Sequence, residues 1–341
     1  MKVVKYFFIC IGITFALVLL VSLFLPDKAH LERSTEINAD AEVAFNMIND
    51  LKRWEEWSPW HKPDSLTHWQ FSEFTVGEGS WYTWNSNNTY VGKGKLTIIE
   101  SKPNSYIKTK MDLDGMGTSY AEYIFTPNET GGFKLTWTMD INGEGIPWYF
   151  VPFSRYFNLF IENTIGPDYE KGLSTIKKLS ETTPKLTIAG FDASVKVMAP
   201  LLYISERRFV GFADVPKNIS EIYSNLMMLL QQQNTAPAGA PFTINYKADV
   251  NGVDMEAALP VSKTINVSAP VNFSKLNAGK CLVVAYKGSY NSIGIVYQPA
   301  LQWIKDNNYV LNGAPMEFYV TDPMLEKDST KWLTEVVFPI K

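Results

Sequence analysis

Two stretches, RRFVGFADVPKNISEIYSNLMMLL (207–230) and KCLVVAYKGSYNSIGIVYQPALQWI (280–304), lie over one another when the chain is offset by 74 residues. The offset places Phe212 on Tyr286, Ile219 on Ile293 and Tyr223 on Tyr297. Each stretch reads as a strand followed by a helix with an apolar stripe. The stripes are Ile219, Ile222, Tyr223, Leu226 and Leu230 in the first, and Ile293, Val296, Tyr297, Ala300, Leu301 and Ile304 in the second. Two more strands follow each helix: FTINYKAD (242–249) and VDMEAALPV (253–261), then PMEFYVTD (315–322) and WLTEVVFPI (332–340). The pattern predicts two β-α-β-β units related by a pseudo-twofold, their adjoining sheets bounding a groove. Each last strand carries a glutamate, then three residues, then Pro and a β-branched residue, so Glu256 and Glu335 occupy equivalent places. In TEVVFPIK, alternation puts Glu335 and Val337 on one face and Thr334, Val336 and Phe338 on the other.

Upstream, HLERSTEINAD (30–40) alternates as a strand, and ADAEVAFNMIND (39–50) opens a helix with Asp40 as N-cap and Val43, Ala44, Met47 and Ile48 at helical spacing. A run of strands follows, from SWYTWNS (80–86) and TYVGKGKLTIIE (89–100) to GGFKLTWTMDI (131–141), separated by turn residues. A long helical run from about Phe153 to Glu181 closes this region, broken or kinked at Gly166-Pro167. The fold class is α+β. The expected organisation is an anchor over 1–28, a first domain over 29–181, a linker with one possible strand over 182–202, and a second domain over 203–341.

The first 26 residues differ from the rest. YFFICIGITFALVLLVSLFLP (6–26) holds no charge, and a bilayer core needs about 20 apolar residues. The run outlasts the apolar part of an export signal, and no small-residue cleavage site follows it. An uncleaved single-pass anchor is expected, with Lys2 and Lys5 on the cytoplasmic side and the soluble domains on the other. A net charge of −4, with no basic helix or tail, argues against nucleic acid as a partner. Histidines are confined to His30, His61 and His68, so neither a metal site nor a Ser-His-Asp arrangement has support, and no cofactor is implied. Cys10 and Cys281 are not placed to form a disulfide.

The segments STEINADAEVAFNMINDLKRWEEWSPW (34–60), VGEGSWYTWNS (76–86), GKGKLTIIE (92–100) and IGPDYEKGLSTIKKLSE (165–181) resemble the START-like superfamily in its polyketide cyclase/dehydrase branch. That resemblance implies a helix-grip fold around a hydrophobic cavity. Trp54, Trp57, Trp60, Trp81, Trp84 and Trp137 are expected mainly as core. In the second domain DMEAALPV (254–261), the Gly-Ser-Tyr at 288–290, YQPALQWIKDNNYVLNGAPMEFYVTDP (297–323) and TEVVFPI (334–340) resemble the GyrI-like effector-binding domain. This resemblance implies a groove for bulky, cationic or aromatic compounds, with an acidic residue facing the ligand between aromatics. Glu335 is the matching position, Glu256 its counterpart, and Tyr286, Tyr290, Tyr297, Trp303 and Tyr319 are the aromatic candidates. Tyr297 and Trp303 lie six apart, so only one of them is expected at the ligand. Regulators with this domain carry a helix-turn-helix in front of it; here an anchor and a START-like domain take that place. The expected function is therefore a membrane-anchored binding protein for hydrophobic or cationic small molecules. The alternatives are a small-molecule hydrolase with Glu335 as general base, and an interaction protein whose first cavity is filled by its own side chains.

Overall fold

The computed structural model describes residues 2–61, 66–88, 91–129 and 131–341, so Thr89 and Tyr90 of the expected strand 89–100 lie outside the described residues. The chain divides into two compact units, Met1–Thr183 and Pro184–Lys341.

Helix α1 (Lys2–Ser22) opens the first unit and is long and apolar enough over Val4–Ser22 to cross a bilayer, a property that an export signal near an N-terminus shares. Strand β1 (Ala29–Ile37) follows, then α2 (Ala41–Asn49), where the Asp40 carboxylate accepts the Glu42 amide as N-cap. The short helix α3 (Trp54–Trp57) leads into β2 (His68–Phe71), β3 (Trp81–Asn85), β4 (Lys93–Lys102), β5 (Tyr106–Leu113), β6 (Gly117–Pro127) and β7 (Phe133–Ile141). These strands form one antiparallel sheet in the order β1-β7-β6-β5-β4-β3-β2. Helix α4 (Val151–Thr164) and helix α5 (Gly166–Thr182) meet at the Gly166-Pro167 break. Helix α5 buries Tyr169, Leu173 and Ile176, and Gly172 lets it approach Trp137 so closely that a Cβ there would stand 2.8 Å from the indole. A helix gripped by a curved sheet is the result.

The second unit contains β8 (Leu186–Ile188), β9 (Phe191–Met198), β10 (Leu201–Val210), α6 (Val215–Gln232), β11 (Phe242–Asp249), β12 (Gly252–Pro260), β13 (Asn272–Leu276), β14 (Gly279–Lys287), α7 (Tyr297–Asp306), β15 (Met316–Tyr319) and β16 (Leu333–Pro339). Its nine strands join one continuous sheet in the order β13-β10-β12-β11-β15-β16-β14-β9-β8, not two sheets. The segment 182–202, expected as linker with one strand, contributes β8, β9 and the start of β10. Its alternation of Phe191, Ala193, Val195 and Val197 with polar residues suits β9 to pairing along β14. The expected helix at 293–304 begins as 3-10 turns over 290–296 and becomes α-helical only at Tyr297. Pro299 lacks an N–H and its ring excludes a regular turn before it.

The duplication is visible in the sheet. Its six central strands read β10-β12-β11 and then β15-β16-β14, mirrored about the β11–β15 junction. There Phe242 pairs with Phe318, Thr243 with Glu317 and Ile244 with Met316. Under the 74-residue offset Thr243 maps onto Glu317 itself, so the pseudo-twofold passes through that pair.

Candidate functional site

Both helices of the second unit cover the same face of the sheet. Helix α6 buries Ile222, Leu226 and Leu230 against Met255, Ala257 and Leu259, and α7 with the preceding turns packs Ile293, Val296, Ala300 and Ile304 on Leu282, Val284, Val336 and Phe338. A third cluster, including Tyr203, Phe242, Ile244, Cys281 and Val337, occupies the opposite face. Alternation then assigns each candidate on a strand a side.

Glu335 shares the face of Val337, away from the helices, and its carboxylate lies 3.8 Å from the Lys196 ammonium contributed by β9. Glu256 takes that same face, is buried, and accepts hydrogen bonds from the hydroxyls of Ser205 and Tyr246, the latter at 2.6 Å. Neither carboxylate meets the tyrosines of the helix-covered face. Tyr286 is a core residue whose hydroxyl donates to the Ser289 carbonyl, and Trp303 stacks on Tyr309. The structure thus places Glu335 and Glu256 on the face away from the aromatic candidates, because a helix packed on Val336 and Phe338 forces residue 335 to the other side, while Tyr286 and Trp303 belong to the apolar cluster under α7.

Tyr297, Tyr319 and Tyr290 do converge, and the carboxylate they surround is Glu317. On the strip between α6 and α7, Glu317 Oε1 accepts from the Tyr297 hydroxyl at 2.6 Å and from Asn245 Nδ2 at 3.2 Å. Its Oε2 accepts from the Tyr319 hydroxyl at 3.1 Å, which also lies 3.1 Å from Thr243 Oγ1. Tyr290 packs edge-on to Tyr319 and tilts against Trp332 at 4.7 Å. Tyr223, the counterpart of Tyr297 on α6, donates to the Phe242 carbonyl from the other flank. Burial raises the Glu317 pKa in spite of its three donors. All of its hydrogen-bond partners among the described residues are neutral. A carboxylate desolvated among aromatic rings and lacking a counter-charge is an arrangement that attracts an organic cation. The sequence signal for Glu317 was present in the offset that maps it onto Thr243, and in its alternation with Tyr319.

The first unit holds a cavity of about 450 Å³ enclosed by the sheet and α5. Trp54, Trp60, Trp84 and Trp137 line it together with Trp69 and Tyr82, so these indoles are core and cavity wall at once, whereas Trp81 lies outside it, under the Lys95 ammonium. His61 also lines the cavity, stacked on Trp69 at 4.2 Å, with neither ring nitrogen hydrogen-bonded. Burial holds its pKa down to about 4. The unfolded chain therefore takes up a proton near pH 6.5 that the folded chain refuses until about pH 4. Stability is expected to fall by on the order of 2–3 kcal/mol as pH drops through that window. Urea midpoints between pH 7 and pH 4 check this: His61→Phe, which keeps the stack, should lose that part of the slope.

The fold is a pair of α+β domains in one chain, the first of them enclosing a cavity large enough for a small molecule. Residues 28–181 match the family described as polyketide cyclase / dehydrase and lipid transport. Residues 199–341 match the GyrI-like small molecule binding domain. The chain thus joins a START-like domain of the polyketide cyclase/dehydrase type to a GyrI-like domain. No curated protein matches it. Among solved structures, the EcmrR C-terminal domain is 25% identical over 44% of this chain and 98% of its own, with a TM-score of 0.39. EcmrR bound to DNA is 24% identical over 56% and 71%, with a TM-score of 0.41. A hydrolase from Listeria innocua is 10% identical over 47% and 94%, with a TM-score of 0.34.

Proposed function

We propose that the chain is a membrane-anchored binding protein with two ligand sites, an apolar one in the START-like domain and a cation-selective one at Glu317. The observation that carries the reading is the Glu317 carboxylate, raised in pKa by burial and hydrogen-bonded among the described residues to neutral donors. A cationic aromatic ligand supplies the missing charge and stacks on Tyr290, Tyr297 or Tyr319, each contact contributing about 0.5–2 kcal/mol. The START-like cavity supports a second, hydrophobic ligand, because its wall is almost wholly apolar with few polar atoms to orient a head group. Helix α1 supports the anchor: Tyr156 donates to the Val18 carbonyl at 2.7 Å, so removal of the helix would strip a packed face from α4. In this reading the two domains lie on the non-cytoplasmic side.

A thermal-shift screen of the full chain in detergent tests the cation site. Cationic aromatics are expected to raise the melting temperature, by an amount that shrinks with salt, and neutral isosteres of the same shape are not. Equal stabilisation by charged and neutral members would overturn the cation-selective reading. Release of a product would move the assignment to a hydrolase with Glu317 as its acid–base group.

A further inference from the structure

The segment IPWYFVPFSRYFNLF (146–160) is the most apolar exposed stretch outside α1, and Arg155 is its only charge. Arg155 does not face water freely: its guanidinium donates to the Ser22 carbonyl at 3.0 Å. Tyr156 reaches the Val18 carbonyl, and Asn158 Nδ2 reaches that of Pro26 at 3.1 Å. Three contacts thus hold α4 beside the last turns of α1 and the residues after it. Val18 lies four residues inside the end of α1, about 6 Å along the axis at 1.5 Å per residue. If α1 spans a bilayer, α4 stands at the boundary between head groups and acyl chains.

The side chains at that depth suit it. Trp148 is 85% exposed, Phe153 46% and Phe160 55%, and Phe24, two residues past the end of α1, is 84% exposed. Phe153, Phe157 and Phe160 fall on one helical face. Aromatic residues in such a band are the pattern of a membrane interface. The same helix forms the rim of the START-like cavity, which Phe150, Ser154, Phe157 and Asn158 line.

We propose that residues 146–160 insert into the surface of the bilayer that α1 crosses, seating the cavity mouth on the membrane, so that the ligand is an acyl-chain amphiphile taken directly from the lipid phase. The proposal rests on the anchor reading and commits to lipid, not a second copy or a protein partner, as the occupant of the exposed face. Continuity with α1 carries that choice.

The full chain in lipid nanodiscs tests it with an environment-sensitive fluorophore. One sample carries the label on native Cys10, in the middle of α1; a second carries it at Phe153→Cys in a Cys10→Ser background, Cys281 being buried. Quenching of the Cys10 label by deep nitroxide lipids and of the 153 label by shallow ones is expected. A quenched Cys10 label with a 153 label open to aqueous iodide would sink the docking proposal and leave the anchor standing. A 153 label shielded from both iodide and lipid nitroxide would assign the face to protein and equally overturn it. An unquenched Cys10 label would remove the anchor itself. As a functional arm, Phe153→Asp with Phe160→Asp should slow transfer of a fluorescent fatty acid from bilayer to cavity at least about tenfold. Its affinity in detergent micelles should stay unchanged, since neither residue lines the cavity. An unchanged transfer rate would count against direct entry from lipid.

Discussion

Glu317→Gln is expected to weaken binding of a cationic aromatic by at least about a hundredfold, because truncating one charge of a buried pair costs roughly 3–5 kcal/mol. Tyr297, Tyr319 and Asn245 can all still hydrogen-bond the amide, so the pocket keeps its shape and only its charge is lost. The free protein should respond in the opposite direction. A carboxyl whose pKa is raised in the folded state holds its proton after the unfolded chain has released it. Stability therefore falls as pH rises from the usual glutamate value through the folded one. Glutamine removes that loss, so the variant is expected to melt higher than the parent at pH 7 while binding worse. Calorimetric titration and melting curves on the same preparations check both halves. Glu335→Gln, which removes the ion pair with Lys196 on the other face of the sheet, should leave affinity within about twofold. If Glu335→Gln abolished binding and Glu317→Gln did not, the site would have to be moved to the other face of the sheet.

Ala121→Trp carries the second large effect, in the other domain. Ala121 lines the START-like cavity from β6, opposite Thr109 across the β5–β6 ladder. An indole at that point occupies space already open to solvent-sized molecules, so the packing clash that accompanies overfilled cores should be small. Loss of hydrophobic ligand by more than about a hundredfold is expected, with little change in melting temperature. Native mass spectrometry of the full chain released from micelles reads the outcome as the disappearance of a co-purifying adduct. An adduct that survives Ala121→Trp but not Glu317→Gln would place both ligands in the second domain.

How far these sites were legible from sequence differs by residue. The strands, helices and duplication follow from periodicity and the 74-residue offset, and the Asp40 cap and Gly166-Pro167 break were readable from residue type alone. Membership of strand β9 was harder, since its alternation says that it pairs but not with what; only the free edge of β14 settles that. The glutamates show the same limit more sharply. Alternation separates Glu335 from Val336 and Phe338, yet does not say which side the helices cover. That side is fixed by the stripe of α7, whose apolar residues need Val336 and Phe338 as partners. Once the helices are placed there, Glu335 and Glu256 must face away, and the carboxylate between the tyrosines is the one on β15. The indoles of the first domain illustrate a different ambiguity: Trp54 and Trp137 are buried and line the cavity as well, so core and ligand wall were never alternatives.

The place of the Thr243–Glu317 pair on the pseudo-twofold has a consequence for how such a pocket can arise. Two identical half-length chains meeting at this junction would carry the same residue at both positions. They would then present either two hydroxyls, with no charge to attract a cation, or two adjacent carboxylates that share a proton and repel. A tandem gene escapes that choice. With both halves in one polypeptide, position 243 can keep a neutral hydroxyl while position 317 becomes acidic, giving a single carboxyl at the junction of the two repeats. Covalent linkage of the two copies thus supplies more than stability: it lets them differ at the one position where the proposed cation site needs a single carboxyl.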